Sequence, residues 1–161
     1  MHVRRPARFV GVMACLFALA GCLSPQTREG DWEQVVEQAW ELTHLDGRRP
    51  ITAGNETVEP LTLDLSDDGR AAGFAGVNRF FGSYESTPQG ELRFAALGST
   101  RMFRADPPGL MDQEQNYLAT LGEIDSYRLQ GGKLVLISAG KKRLKFVPAV
   151  SETEADPATP E

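Results

Sequence analysis

GFAGVNRFFGSYE, residues 73–85, threads three glycines through aromatics and sets Asn78 beside Arg79. A phosphate-cradling loop needs its glycines between a strand and the start of a helix, where free N–H groups converge. Here a strand pattern precedes the glycines and no helix pattern follows, so the phosphate reading fails. The stretch is read instead as the continuation of a strand that begins at Arg70. Phe74, Gly76, Asn78 and Phe80 then share one face, and Ala75, Val77, Arg79 and Phe81 the other. Glycines inside a strand mark bulges or close backbone approach, as the corners of a barrel require. Asn78 is expected to be a buried amide whose hydrogen bonds serve the fold.

On both sides of this stretch hairpin signals recur. LTLDL (61–65) alternates leucines and breaks at Asp68-Gly69, a pair that tolerates the positive φ of tight hairpins. Folding there sets Leu65 opposite Ala72, Leu63 opposite Phe74 and Leu61 opposite Gly76, which gives one apolar face. Folding at Gly131-Gly132 sets Leu129 opposite Leu134 and Tyr127 opposite Leu136. KLVLIS (133–138) is apolar on both faces and is expected to be a central, covered strand. GELRFAAL (90–97) and KKRLKF (141–146) supply further strands, and short strands with regular turns argue an antiparallel sheet or barrel.

PPGLMDQEQNYLATLGE (107–123) reads as a helix with Leu110, Tyr117, Leu118 and Leu121 on one stripe, Pro107 and Pro108 in its first turn and Gly122 at its stop. DWEQVVEQAW (31–40) reads as a second, short helix with Trp32, Val35, Val36 and Ala39 on its stripe, or as one that has already given way to strand at Trp40-Glu-Leu. Glu114 falls inside the apolar stripe of the longer helix. A carboxylate there needs a partner, and Arg79 or Arg101 is expected to supply an ion pair.

The ends of the chain read differently. Residues 1–21 combine Arg4, Arg5 and Arg8 with an apolar run of about a dozen residues, too short for a mature membrane span, and small residues before a cut site. This is the pattern of a signal peptide. Leu19-Ala20-Gly21-Cys22 resembles the bacterial lipobox, which implies cleavage before Cys22 and its acylation. Two or three acyl chains, at ~0.8 kcal/mol per buried methylene, hold a membrane stably. Leu23-Ser24, with no aspartate at the sorting position, resembles the outer-membrane destination of a lipoprotein facing the periplasm. Residues 22–29 are read as a tether, 30–148 as the folded domain, and 149–161 as a disordered acidic tail with too little apolar surface to order itself.

Losing residues 1–21 would remove three of the 17 basic residues and leave 14 against 22 acidic ones, a net of −8. That sign opposes a nucleic-acid partner, which needs a clustered basic face. Cys15 would leave with the signal and Cys22 would be the anchor, so no disulfide, no cysteine metal site and no cofactor are expected.

The ordered succession GVNRFFGSYE (76–85), LGSTRMFR (97–104), MDQEQNYLATL (111–121), YRLQGGKLVLI (127–137) and LKF (144–146) resembles the META domain, also called HslJ-like. WELTHLDG (40–47) resembles its opening strand, so the likeness runs from about Trp40 to Phe146. It implies an α+β fold in which an antiparallel sheet curls into an incomplete barrel with one packed helix. It also implies a cell-envelope protein loosely associated with stress tolerance, in a family without an established catalytic activity. The family motifs fall on Asn78, Arg79, Gly82, Thr100, Arg101 and Glu114, with structural roles. Many members carry cysteines where this chain has Val77 and Phe103. The absence of both argues against a thiol mechanism here.

No active site is expected either. His44 stands alone in a strand, no GxSxG accompanies it, Asp67-Asp68 is explained by its turn, and Ser99-Thr100-Arg101 has no activating base. The expected function is therefore a lipid-anchored envelope module that binds other envelope proteins. The alternative is a carrier whose curled sheet holds an acyl chain or other apolar ligand among Phe74, Phe80, Phe81, Phe94, Met102 and Phe103; otherwise these side chains fill the core.

Overall fold

A computed structural model describes residues 31–36, 38–52 and 58–150. In chain order the elements are α1 (Asp31–Val36), β1 (Trp40–Leu45), β2 (Thr62–Leu65), β3 (Arg70–Phe74), β4 (Arg79–Ser86), β5 (Leu92–Ser99), α2 (Leu110–Gly122), β6 (Ile124–Gln130), β7 (Lys133–Ser138) and β8 (Arg143–Pro148). The strands form one antiparallel sheet in the order β5-β4-β3-β2-β1-β8-β7-β6. Its two edges come back together: Glu91 bridges Ser126, and the Tyr127 N–H donates to the Gly90 carbonyl at 2.8 Å. The sheet is thus a barrel closed except for one seam between β5 and β6, and α2 is the connection between those two strands. This is the α+β architecture expected from the sequence.

Alternation fills the interior. Leu63 and Leu65 of β2, Leu134 and Leu136 of β7, and Leu144 and Phe146 of β8 are buried, with Trp40, Phe80, Tyr117 and Tyr127 as the large fillers of one continuous cluster. Each such side chain contributes about 1.5–3 kcal/mol on burial. Helix α1 packs onto the same cluster through Val35. The Trp40 Nε1–H donates to the Val35 carbonyl at 2.8 Å, and the Trp32 ring sits 5.4 Å from that of Tyr84 and 4.8 Å from that of Tyr127.

The Gly131-Gly132 hairpin has the expected register, with Tyr127↔Leu136 and Leu129↔Leu134 paired. The Asp68-Gly69 hairpin does not. Its pairs are Leu65↔Ala71 and Asp64↔Ala72, one residue away from the expectation. The loop has three residues rather than two: Ser66 N–H bonds the Arg70 carbonyl, Gly69 N–H bonds the Ser66 carbonyl, and Gly69 takes φ +82° as the last loop residue. Because side chains alternate with period two, the slip exchanges the faces. Ala71, Gly73 and Ala75 are buried, Ala72 is exposed and Phe74 is half-buried.

The strand expected to run unbroken from Arg70 through Glu85 is also two strands. Residues 75–78 form a tight turn, closed by the Ala75 N–H on the Asn78 carbonyl at 2.8 Å, and Phe74 pairs with Arg79 across it. Smaller differences lie at the helices. Pro107 and Pro108 precede α2, Gly122 is its last residue, and Ala39 is exposed because α1 has ended at Val36. Strand β7 is paired on both sides, by β8 and β6, but lies one place in from the sheet edge rather than at its centre, and Val135 and Ile137 are half-buried rather than covered.

Asp64 is half-buried on β2, and burial raises its pKa above the ordinary 3.8. The folded chain therefore holds this proton more tightly than the unfolded chain. Stability falls as pH rises from the unfolded pKa through the folded one, and the loss persists above it. Asp64→Asn is expected to raise the urea midpoint near pH 7 and to leave it unchanged below about pH 3, where both states of the parent chain are protonated.

Candidate functional site

The 75–78 turn aims Asn78 inward, and one helical turn beyond Leu110 the Glu114 side chain meets it. Both are buried, at 2 % and 6 % exposure. Glu114 Oε2 accepts the Val77 and Asn78 N–H groups at 3.1 and 2.7 Å, and Oε1 accepts Asn78 Nδ2 at 2.7 Å. Asn78 Oδ1 in turn accepts the Thr100 hydroxyl at 2.8 Å and the Met102 N–H at 2.6 Å, while Nδ2 also donates to the Met102 carbonyl at 3.1 Å. One amide thus uses both hydrogens and both lone pairs, and ties together the turn, helix α2 and the chain just after β5.

The expected ion pair is not formed. Arg79 and Arg101 are exposed, and the carboxylate is held by N–H donors instead. Two converging backbone N–H groups and an amide make a charge-assisted nest that needs no cation. Arg79 opens β4, and alternation along the strand puts its side chain on the face opposite buried Phe80. Gly82 lies opposite a bulge at Ala96 and Leu97 of β5, where Phe81↔Gly98 gives way to Ser83↔Ala95. A Cβ on Gly82 would come within 2.9 Å of Leu97 Cδ2 and 3.0 Å of the Ala95 carbonyl. Of the six motif residues, Asn78, Thr100 and Glu114 are brought together, Gly82 serves the bulge, and Arg79 and Arg101 face solvent. Cys22 lies outside the described residues, as do the rest of the signal and tether and residues 151–161 of the tail.

Sequence reading missed the Met102 backbone as a partner of Asn78, and Gln113, whose Oε1 accepts the Ile51 N–H at 2.6 Å. Thr100→Val removes one hydroxyl from the network at an otherwise exposed residue. It is expected to cost about 1 kcal/mol in urea unfolding.

The segment after β5, held down by Asn78, walls a half-open groove of about 470 Å³. Phe74, Val77, Met102 and Phe103 give it apolar lining, and Arg79, Arg104 and Glu59 give it charge. Met102 is 64 % exposed and Phe103 82 %. Of the other side chains considered for a ligand cavity, Phe80 is in the core, Phe94 packs against it, and Phe81 is exposed on β4. Val77 and Phe103 both line this groove. His44 is half-buried on β1 with Nδ1 3.2 Å from the Thr43 hydroxyl, and Asp68 pairs with Arg70 at 2.7 Å. Among the described residues no group of three or more His, Cys, Asp or Glu is placed to hold a metal, and no helix is long and apolar enough to cross a membrane.

Residues 33–151 match the META domain. Three solved structures are similar to the chain. An NMR structure of a protein from Burkholderia xenovorans is 24 % identical with a TM-score of 0.62, covering 92 % of this chain and 99 % of its own. A second NMR structure is 26 % identical with a TM-score of 0.57, covering 72 % and 92 %. The crystal structure of a DUF4847 family protein from Bacteroides vulgatus is 14 % identical with a TM-score of 0.50, covering 73 % and 96 %. The first and third likenesses speak for the fold alone. No curated protein sequence matches the chain.

Proposed function

The chain belongs to the META domain family, and from that membership we propose that it is a lipid-anchored interaction module of the cell envelope, linked to stress tolerance and without catalytic activity. The observation that carries this reading is the groove beside Asn78. A domain with a filled core has no packing reason to leave Met102 and Phe103 exposed together, and such apolar surface rimmed by charge marks interaction sites. Aromatic residues, Met and Arg are the types enriched in interface cores. The Asn78–Glu114 network presents them on a fixed segment, so little ordering cost remains at docking. Cys22 supplies the acyl anchor and places the domain on the outer membrane, facing the periplasm. The non-catalytic reading rests on the sequence, where His44 has no base or nucleophile partner.

The test is a photo-crosslinking residue at position 103 of the full chain in a diderm host, with exposed position 133 at the start of β7 as control. Expected are a discrete crosslinked protein from position 103 only, and incorporation of labelled fatty acid that Cys22→Ala abolishes. Equal crosslinking from both positions would overturn the module, and an unlabelled wild-type chain the anchor.

A second reading has its own support. The groove volume lies within the ~300–1,000 Å³ of small-molecule sites, and its lining is largely apolar. An acyl chain or similar ligand would then lie in this groove and not inside the barrel, which side chains fill. Native mass spectrometry of protein isolated gently from envelope separates the two, since only a carrier retains a small-molecule adduct that Phe103→Ser removes.

A further inference from the structure

Charge is spread unevenly along this chain. Residues 124–148 hold six basic side chains, Arg128, Lys133, Lys141, Lys142, Arg143 and Lys145, against Asp125 alone, while the rest of the chain holds 11 basic against 21 acidic. The segment spans β6, β7 and β8, which are neighbours in the barrel. Leu134, Leu136, Leu144 and Phe146 are buried in the core, so alternation turns Lys133, Val135, Ile137, Arg143 and Lys145 outward. The register gathers them into one face. Val135 pairs with Arg128 on one side and Lys145 on the other, and Ile137 pairs with Ser126 and Arg143. Strands lie ~4.8 Å apart, so Arg128 and Lys145 stand about 10 Å from each other across a half-buried aliphatic centre. Lys133 opens β7 at one end of this face, and Lys141 lies in the β7–β8 turn at the other.

Of the six cations only Lys142 is in an ion pair among the described residues, with Glu123 at 3.1 Å. The acids nearest the others are Glu41, half-buried on β1 opposite Val147, and Asp125, which accepts the Ser126 hydroxyl at 3.1 Å. The face is the outside of a barrel, hence convex, and it presents no Phe, Tyr or Trp: Trp40, Tyr127 and Phe146 all point inward. Protein interfaces centre on anchors, aromatic above all, that fill buried pockets, and single-stranded nucleic acids stack on aromatic platforms. Aliphatic side chains ringed by long cationic ones match an anionic bilayer instead. Their stems lie along the apolar boundary while the charged heads reach lipid phosphates. Near such a surface each Lys or Arg multiplies affinity by about fivefold.

We propose that the outer face of β6–β8 docks on a bilayer containing anionic phospholipid, with Val135 and Ile137 at the headgroup boundary and Arg128, Lys133, Arg143 and Lys145 on the phosphates. Strand β3 stands four places from β7 in the eight-stranded barrel, directly across it, so Phe74 and the groove it lines face away from the membrane. Docking thus sets the orientation of the domain and leaves the groove open. It requires neither acylation of Cys22 nor a partner in the groove, and so stands or falls apart from the function proposed above.

The test uses the full chain with Cys15→Ser and Cys22→Ser, so that acylation contributes nothing. A polarity-sensitive fluorophore is attached through Val135→Cys or, across the barrel, through Ala72→Cys at an exposed position of β3. Vesicles are phosphatidylcholine alone or mixed with phosphatidylglycerol. On the mixed vesicles only, the label at 135 is expected to shift to shorter wavelength and to be quenched by lipid-borne nitroxide, and salt is expected to reverse both effects. The label at 72 is expected to do neither. Arg128→Gln with Lys145→Gln is expected to lower the ratio of docked to undocked face about 25-fold. Arg93→Gln with Arg101→Gln, an equal change of net charge elsewhere, is expected to leave it unaltered. All four arginine and lysine positions are exposed, so the fold is retained. Equal responses at 72 and 135 overturn the proposal, as does a response that ignores phosphatidylglycerol or the loss of Arg128 and Lys145. A label at 135 that answers a single-stranded oligonucleotide but not the mixed vesicles overturns it in favour of nucleic acid. One that shifts with protein concentration in vesicle-free solution overturns it in favour of a second copy of the chain.

Discussion

Glu114→Ala is expected to lower the unfolding free energy by about 3–5 kcal/mol and the thermal midpoint by about 10–20 °C. The substitution removes the acceptor for the Val77 and Asn78 N–H groups and for one hydrogen of the Asn78 amide, all at a site closed to water. Each orphaned donor costs about 1–3 kcal/mol in desolvation, and the Asn78 amide loses the contact that orients it towards Thr100 and Met102. Glu114→Gln falls between, because one oxygen is kept but an NH₂ group replaces the other and faces donors. Arg79→Ala and Arg101→Ala are each expected to change stability by no more than about 0.5 kcal/mol, since both side chains lie in solvent. Urea unfolding of the four variants decides the matter. A Glu114→Ala chain as stable as the parent removes the network, and an arginine variant as damaged as Glu114→Ala restores the ion pair. Asn78→Ala and Glu114→Ala act on one network, so the double variant is expected to lose less than the sum of the two.

The same residues show what could be read before the structure. Glu114 stood out because a carboxylate within the Leu110–Tyr117 stripe demands a partner. Its partner stayed hidden because two of its three donors are backbone N–H groups, which nearly every residue carries and no composition reveals. Gly131-Gly132 fixed its hairpin register through local turn chemistry. Asp68-Gly69 offered the same kind of signal and misled, since an Asp-Gly pair fits the end of a three-residue loop as well as a two-residue one, and only pairing with β3 decides between them. The turn at 75–78 carries no Asn-Gly or Asp-Gly pair, and the aromatics on either side look like one strand. The groove was the least legible feature. It exists because Met102 is bound back to Asn78 across 24 positions of sequence, a contact that leaves no periodic trace.

Gly73→Ala is expected to be as damaging as any single change in the barrel, costing about 3 kcal/mol or more, or preventing folding altogether. A Cβ at this position would overlap the Thr62 carbonyl oxygen and stand 2.7 and 2.8 Å from Cε1 and Cζ of Phe80. Neither neighbour has room to yield. The Thr62 carbonyl accepts the Tyr117 hydroxyl at 3.1 Å, and the Thr62 hydroxyl accepts the Phe74 N–H at 3.0 Å, so this residue is held from two sides. Phe80 is 1 % exposed and packs edge-on to Tyr117, with ring centroids 5.8 Å apart. Accommodation would require β2 to part from β3, or Phe80 to abandon its place beside the helix. Either motion displaces Phe74, on the wall of the groove, so Met102 and Phe103 would lose their facing surface along with the barrel its register. Gly122→Ala is the matched control: its Cβ meets nothing within 4 Å at the end of α2, and the substitution is expected to be neutral or to stabilise by about 0.4–1 kcal/mol. Far-UV circular dichroism and urea unfolding of the pair separate steric exclusion from the generic effect of replacing glycine. If the two variants unfold at the same urea concentration, β2 and β3 do not approach as closely as the barrel requires.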